Sequence, residues 1–202
     1  FLQLITLYEM AVFGMNSIVV LGVYGKGNLG DEALLQAVVD DARELLTDCR
    51  VNVFCSEPAD VRRRFGFSAY SRKPTEGFLQ KVSIIRKCRL VIVGGGTLLC
   101  DHGSFPRDCS VLLSYFFWLW LARLLGVPAV LYGQGYGPAT SRTIRLGMRL
   151  IPISCDGVTV RDDASYKLAT SLVGTKNGLG LLVGVGRKLK NRKTIGRNQC
   201  RA

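Results

Sequence analysis

The sequence predicts an α/β domain in which helices cover a parallel, Rossmann-like sheet. Apolar, β-branched runs alternate with segments whose apolar residues recur every three or four positions. The helical segments are long enough for the crossover connections that parallel strands require. Glycine-rich segments follow three of the predicted strands, and such sheets bind ligands at the carboxyl ends of their strands. We therefore expect one domain over residues 15–172, with a binding cleft at that edge.

The individual elements follow from these two periodicities. Short runs rich in Val, Ile or Leu predict strands at 18–23, 51–55, 90–93, 128–132 and 157–160. Helical spacing predicts helices at 31–46, 58–65, 77–88, 109–125, 142–150 and 163–172. The glycine-rich stretch 133–138 is predicted to be a turn.

The charge of the chain is concentrated at one end. The 202 residues are 48% hydrophobic, which excludes a disordered polar chain, and the net charge is +12. Nine Lys and Arg residues and no acidic residue follow position 163, which leaves 18 basic against 15 acidic residues before it. A body of about +3 does not support nucleic-acid binding.

The two ends do not share the α/β pattern. Residues 1–14 are apolar but lack the basic region and cleavage site of a signal peptide, so we expect an extension outside the fold. Residues 173–202 lose the apolar period, and we expect a disordered or frameshifted tail. A basic tail that contacts an anionic membrane or polymer is the alternative. No transmembrane segment is expected, because the longest apolar run, 111–125, is shorter than the ~20 residues of a membrane span.

The seven cysteines show no paired spacing. We expect buried free thiols in a reducing cytoplasm. Cys100, Asp101, His102 and Cys109 are ligand types for a metal ion, but the chain has one His and no ligand pair at metal spacing. We predict no metal site.

The loop after the first strand satisfies G-x-G-x-x-G, so dinucleotide binding is one interpretation, with Glu57 as the ribose acid. Asp31 and Glu32 argue against it, because two carboxylates at a helix N-terminus repel a pyrophosphate. Polar side chains such as Asn28 suit sugar hydroxyls better. The candidate binding residues here are Gly25, Asn28, Gly30 and Glu32, with Asp31 as the candidate catalytic residue.

Three later segments add candidates at the same edge. Gly94, Gly95 and Gly96 precede Asp101, and their amides can approach a ligand closely, although a tight turn explains them equally well. In the next segment, residues 132–138, Gln134 and Gly135 are candidates. The Gln134 amide is expected to bind a sugar or to support another site residue. Arg161 is either an anion-binding residue or a structural partner of Asp162 or Asp163.

Four segments together carry a family resemblance. They are 22–32 (GVYGKGNLGDE), 93–101 (VGGGTLLCD), 131–138 (LYGQGYGP) and 159–162 (TVRD). In this order and spacing the chain resembles the N-terminal half of a polysaccharide pyruvyl transferase, over residues 15–172. Lys26 and Cys100 depart from the family pattern.

The resemblance implies the N-terminal half of a two-domain, glycosyltransferase-B-like architecture, with the cleft between two Rossmann-like halves. It implies transfer of an enolpyruvyl group from phosphoenolpyruvate to a sugar of a cell-surface polysaccharide. The implied partner is a polysaccharide or lipid-linked glycan, met in the cytoplasm or at the inner face of the membrane. Phosphoenolpyruvate is the donor substrate, and no cofactor is expected.

Roles follow from what this transfer requires. A general base must deprotonate the attacking hydroxyl, and we predict that Asp31 is this base or orients the hydroxyl. The alternative for Asp31 is a helix N-terminal charge alone, and we expect Glu32 to be mainly structural. The donor site is expected in a second half, so we expect a truncated chain that is inactive alone. The alternative functions are an NAD- or nucleotide-sugar-binding domain and a non-catalytic polysaccharide-binding remnant.

Overall fold

The computed structural model describes residues 16–46, 48–100, 105–138, 141–173 and 181–183. The strands in this part of the chain are β1 (Ser17–Leu21), β2 (Arg50–Cys55), β3 (Ser68–Ser71), β4 (Leu90–Val93), β5 (Gly96–Leu99), β6 (Ala129–Tyr136), β7 (Gly157–Val160) and β8 (Leu181–Val183). The helices are α1 (Leu29–Leu45), α2 (Pro58–Phe65), α3 (Phe78–Arg86), α4 (Phe105–Leu124), α5 (Arg142–Ile153) and α6 (Asp163–Val173).

All strands join one parallel sheet in the order β3-β2-β1-β4-β6-β7-β8, and β5 pairs with β6 beside β4. The chain builds outward from β1 through β3, then returns to the centre and builds outward the other way from β4. The direction of winding therefore changes between β1 and β4, which is where parallel sheets of this type form a ligand crevice. The predicted Rossmann-like α/β class is confirmed.

The sheet is buried on both faces. In β1, Val19 and Leu21 belong to the hydrophobic cluster that contains α4 and α5, whereas Ile18 and Val20 belong to the cluster that contains α1. Because successive side chains of a strand point to opposite faces, both sides of β1 must be apolar. The uninterrupted apolar run in the sequence follows from this burial.

The prediction that 133–138 is a turn was wrong, because β6 continues through Gly133 to Tyr136. Gly133 has φ of +62°, and the register of β6 against β7 shifts between Leu131 and Gln134. A bulge therefore lets the strand continue, and β5 and β7 pair with it on either side. β3, β5 and β8 were not predicted, because their segments are short and rich in Ser or Gly or lie beyond residue 172.

The structure describes only a small part of the predicted extension and tail. β8 lies within the expected tail and pairs with β7, so the sheet extends past residue 172. Residues 1–15 and 184–202 lie outside the described residues, and the domain bounds stay a prediction. None of the described helices is long and apolar enough to cross a membrane. The six described cysteines are free thiols, and all but Cys109 are buried.

Candidate functional site

The three predicted glycine-rich segments lie side by side, although the third, 133–138, continues strand β6 as far as Tyr136. β1, β4 and β6 are consecutive in the sheet, so the segments at their carboxyl ends meet at one edge. The first loop, residues 22–32, and the glycines after β4 flank the position where the winding direction changes. The expected convergence of these loops thus follows from the strand order.

The first loop is closed by its own side chains. Asn28 caps α1, and its Oδ1 accepts a hydrogen bond from the Gly30 amide at 3.1 Å. Its Nδ2 donates to Oδ2 of Asp31 at 2.9 Å. Asn28 therefore orients the Asp31 carboxylate, while Gly30 lies exposed at the first turn of the helix.

Glu32 is buried and holds the loop from inside. Its Oε1 accepts a hydrogen bond from the Gly25 amide at 3.0 Å and lies 3.6 Å from a guanidinium nitrogen of Arg64. Gly25 has φ of +86°, and a side chain there would overlap the carbonyl of Glu57. Gly25 and Glu32 thus maintain the loop's shape. Because the Gly25 amide is already bound, this geometry does not favour a dinucleotide phosphate at the loop.

Asp31 is the half-buried carboxylate of the loop. Burial raises its pKa and the neighbouring Glu32 carboxylate raises it further, while the hydrogen bond from Asn28 opposes the shift. A Cβ on Gly96 would lie 3.4 Å from Oδ1 of Asp31, so Gly96 leaves the carboxylate room. A carboxylate with a raised pKa can accept a proton more readily than an exposed aspartate.

Tyr24 is a site residue that the sequence interpretation missed. Its ring folds back over Gly22, and its hydroxyl lies against Gly94, so that a Cβ at either glycine would overlap the tyrosine. The Gly94 amide itself donates to the carbonyl of Leu21 at 2.9 Å. Gly94 therefore provides space for Tyr24 rather than an amide for a ligand. The sequence signal that could have indicated this role is a glycine just after each of two neighbouring strands, Gly22 after β1 and Gly94 after β4, where the tyrosine ring needs room.

Several buried oxygens near this point lack a hydrogen-bond partner among the described residues. They include the hydroxyls of Tyr24 and Tyr115 and Oε1 of Gln134. Burial raises the pKa of both tyrosines, and the Asp31 carboxylate adds to each shift, which places that carboxylate within electrostatic reach of both hydroxyls. Unpaired buried polar atoms are costly, so their clustering near one carboxylate indicates a site for polar groups.

Gln134 also has a supporting role. Its Nε2 donates to the carbonyls of Val93 and Gly94, at 3.1 and 2.8 Å. The side chain therefore ties the centre of β6 to the end of β4. Gly95 packs beside it, because a Cβ there would lie 3.2 Å from the Gly133 carbonyl.

Arg72 is a second residue that the sequence interpretation missed. Its carbonyl accepts hydrogen bonds from Trp118 Nε1 at 2.7 Å and Ser114 Oγ at 3.1 Å. Its amide donates to the carbonyl of Cys55, and its Nε donates to Ser56 Oγ at 3.3 Å. The prediction omitted it because the short strand β3, which ends just before it, has no strong apolar signal.

The neighbours of Arg72 are fixed as well. Nζ of Lys81 donates to the carbonyls of Ser71, at 2.9 Å, and Lys73. Lys81 is buried with its ammonium 4.8 Å from the Trp118 ring centre, and burial lowers its pKa. Arg72 lies close enough to Tyr115 for its charge to oppose the rise in that hydroxyl's pKa that burial causes. It forms no ion pair with a carboxylate of the described residues. It is a prepositioned cation at the carboxyl edge.

Arg161 has the structural partner that one interpretation expected. Its Nε lies 2.7 Å from Oδ2 of Asp162, and its guanidinium lies over Gly135, where a Cβ would be 2.9 Å away. The Arg161 side chain is about half exposed, so the ion pair leaves part of it accessible. Asp101 and His102 lie outside the described residues.

Comparison with known proteins identifies the family of the chain. The family model for polysaccharide pyruvyl transferase matches residues 28–180, which include the Asp31 helix, the glycines after β4, and the Gln134 and Arg161 segments. The search of curated proteins finds no match to the chain. The matched region covers most of the sequence and includes six of the eight described strands, from β2 to β7. The chain belongs to the polysaccharide pyruvyl transferase family.

Proposed function

We propose that this chain contributes the acceptor half of a transferase that moves the enolpyruvyl group of phosphoenolpyruvate onto a glycan. The family membership gives the reaction class. The observation that carries the assignment to this half is Asp31, whose pKa is raised and whose carboxylate is oriented by Asn28 at the edge between β1 and β4. Sugar hydroxyls need such an acceptor when they become nucleophiles.

In the proposed reaction a sugar hydroxyl attacks C2 of phosphoenolpyruvate. The hydroxyl proton passes to Asp31, a general acid protonates the methylene carbon, and phosphate leaves. A second hydroxyl of the same sugar then bonds to C2 in place of the phosphate, and its proton goes to the departing phosphate, which completes the ketal. The unpaired, buried hydroxyls of Tyr24 and Tyr115 provide hydrogen-bonding capacity near this base for an ordered water.

Arg72 is our candidate for binding an anionic group of a substrate in this half. Its backbone is held by Trp118 and Ser114, so its side chain projects from a rigid base. Guanidinium groups bind phosphate and carboxylate with two parallel hydrogen bonds, and both anions occur in phosphoenolpyruvate. Arg161 would supply a second, more exposed cation at the same edge.

We further propose that most of the donor pocket lies on a second Rossmann-like half of a glycosyltransferase-B-like architecture. The acceptor is then a polysaccharide or lipid-linked glycan presented in the cytoplasm, at the inner face of the membrane. The donor is consumed as a substrate, so the proposed reaction needs no bound cofactor from this half.

The direct test measures acceptor binding and turnover separately. The chain is titrated with a pyruvate-free cell-wall glycan by calorimetry, then incubated with that glycan and phosphoenolpyruvate while phosphate release is followed. Glycan binding that weakens in Asp31→Asn supports an acceptor half. Glycan-dependent phosphate release that weakens in Arg72→Gln supports the full reaction, with Arg72 bound to an anionic group of phosphoenolpyruvate. The variant Arg86→Gln, on the last turn of α3, serves as a matched control for loss of a surface charge.

The alternatives give different results in the same experiment. Glycan binding with no phosphate release, even after a complete homologous second half is added, would favour a polysaccharide-binding remnant. Binding of NAD or a nucleotide sugar without glycan binding would contradict our proposal and favour a dinucleotide or nucleotide-sugar site.

A further inference from the structure

Helices α4 and α5 pack side by side and expose apolar side chains. They are in close contact where a Cβ on Gly147 would lie 3.2 Å from the side chain of Leu112. Most of the large apolar residues that the described chain exposes lie on these two helices, in one stripe on each. We call this surface the two-helix face; its apolar residues are Leu113, Trp120 and Leu124 on α4 and Leu146, Leu150 and Ile153 on α5.

The spacing shows that each stripe is continuous. Positions separated by three, four, seven or eleven residues lie on one side of a helix. Leu113, Trp120 and Leu124 satisfy this spacing on α4, and their exposed fractions are 65%, 50% and 66%. The opposite side of α4 is already used by the core, where Trp118 is fully buried. The exposed stripe is thus additional to the residues that stabilise the fold.

Arginines border the apolar stripe. Arg142, Arg145 and Arg149 follow each other at helical spacing on α5 and are exposed, and Arg123 is exposed on α4. The α5 sequence, RTIRLGMRLIPI, contains no acidic residue. The side chains of Arg142 and Arg149 form no ion pair or hydrogen bond with any other residue that the structure describes, so their charges are available to a partner.

We propose that the two-helix face docks onto the surface of an anionic phospholipid bilayer. Exposed leucines and a tryptophan can enter the boundary between headgroups and acyl chains, while arginines beside them bind lipid phosphates. A second copy of this chain fits less well, because self-pairing would bring the α5 arginines together without acidic partners. Since no described helix can span a membrane, the attachment is to the surface.

The two-helix face lies near the candidate site, so membrane binding there could bring the site to a lipid-linked substrate. α4 and α5 follow β5 and β6, so both helices begin near the carboxyl edge of the sheet where Asp31 lies. A bilayer against the two-helix face would therefore lie beside that edge, where a lipid-linked glycan could reach it. This last step depends on the proposed function, whereas bilayer binding can be measured without donor or acceptor.

Vesicle co-sedimentation of the full chain tests the proposal. We expect binding to vesicles of phosphatidylcholine with phosphatidylglycerol, and much weaker binding to phosphatidylcholine alone. Leu124→Ser and Leu150→Ser should each weaken binding about tenfold, because each removes an inserting apolar group. Leu29→Ser is the matched control, since Leu29 is 80% exposed on α1, which packs on the other face of the sheet from α4 and α5. The basic segment after residue 183 is unchanged in all of these variants, so its attraction to the vesicles is constant.

Fluorescence adds a direct measure of insertion. Trp118 is buried and Trp120 is half exposed, so lipids brominated on their acyl chains should quench Trp120 emission, and Trp120→Phe should abolish most of that quenching. The double change Arg142→Gln with Arg149→Gln should weaken binding to the anionic vesicles by about fivefold per arginine.

Three outcomes would overturn the proposal. The first is vesicle binding that the serine variants do not weaken and that is not accompanied by quenching of Trp120. That result would assign the binding to the basic segment after residue 183. The second is absence of binding to anionic vesicles. The third is a dimer in sedimentation analysis that Leu124→Ser or Leu150→Ser dissociates, because a second copy would then occupy the face.

Discussion

The β1–α1 loop and the β7–α6 loop both place an aspartate at the start of a helix, but their electrostatics are opposite. Asp162 precedes α6, and its Oδ1 accepts the Ser165 amide at 2.7 Å while Arg161 pairs with its other oxygen. The Ser165 hydrogen bond, with Arg161, lowers the pKa of Asp162. Burial and Glu32 instead raise the pKa of Asp31. Asp162 thus caps the helix that follows it, whereas Asp31, inside the first turn of a helix capped by Asn28, has the raised pKa that a proton acceptor needs.

The largest expected effect concerns catalysis. Asp31→Asn should lower glycan-dependent phosphate release at least about a hundredfold in a complete, active form of the enzyme, because general-base catalysis contributes that much. Asn keeps the shape and the oxygen that Asn28 binds, so the fold should be retained. Asp162→Asn is the matched control and should remain within a few-fold of wild type. Near-normal turnover by Asp31→Asn would eliminate Asp31 as the base.

The next effect concerns the packing that forms the β1–α1 loop. Gly94→Ala should lower the free energy of unfolding by about 1–3 kcal/mol, because the new methyl group overlaps the Tyr24 hydroxyl. Tyr24→Phe removes that hydroxyl and should recover part of the loss. Gly22→Ala clashes with ring carbons of Tyr24, so the same rescue should fail there. Chemical denaturation of the single and double variants measures all of these differences. Equal rescue at both glycines would contradict this packing.

A smaller effect is expected at the β7–α6 loop. Asp162→Ala should lower the free energy of unfolding by about 1 kcal/mol at neutral pH, as loss of a helix cap does. A carboxyl whose folded pKa is lowered stabilises the fold above its ordinary value of 3.8, and this stabilisation is lost as the pH falls through the folded pKa. The difference in the free energy of unfolding between Asp162→Ala and the wild type should therefore decrease as the pH falls from 3.8 through the lowered folded pKa. Chemical denaturation in a series of acid buffers measures this difference.

The smallest expected effect is an increase, and not a decrease, in the free energy of unfolding. Because the pKa of Asp31 is raised in the folded state, its charge destabilises the fold at neutral pH, and Asp31→Asn should increase the free energy of unfolding. The gain should decline as the pH is lowered through the raised folded pKa toward 3.8, where wild-type Asp31 becomes protonated in both states. If the variant is less stable at neutral pH, the assigned burial of this charge is wrong.

The sequence by itself determined the α/β class and most strand and helix positions. Fully buried strands such as β1 and β4 must be apolar on both faces, and this requirement is visible as an uninterrupted run. Asp31 and Arg161 were also predictable as candidates, since each lies in the polar segment that follows a predicted strand. The roles assigned to the site residues stay predictions until the binding and turnover experiments are done.

Only the tertiary structure decided which residues meet. Tyr24, Arg72 and Tyr115 come from three separate segments, and nothing in their local sequence links them. The path of β6 through Gly133 depends on partners supplied by β5 and β7, so no local turn signal could reveal it. The different pKa shifts of Asp31 and Asp162 likewise depend on burial and on neighbours brought together by folding. Periodicity records which side of an element is buried, whereas contacts between distant segments are fixed by strand order and packing.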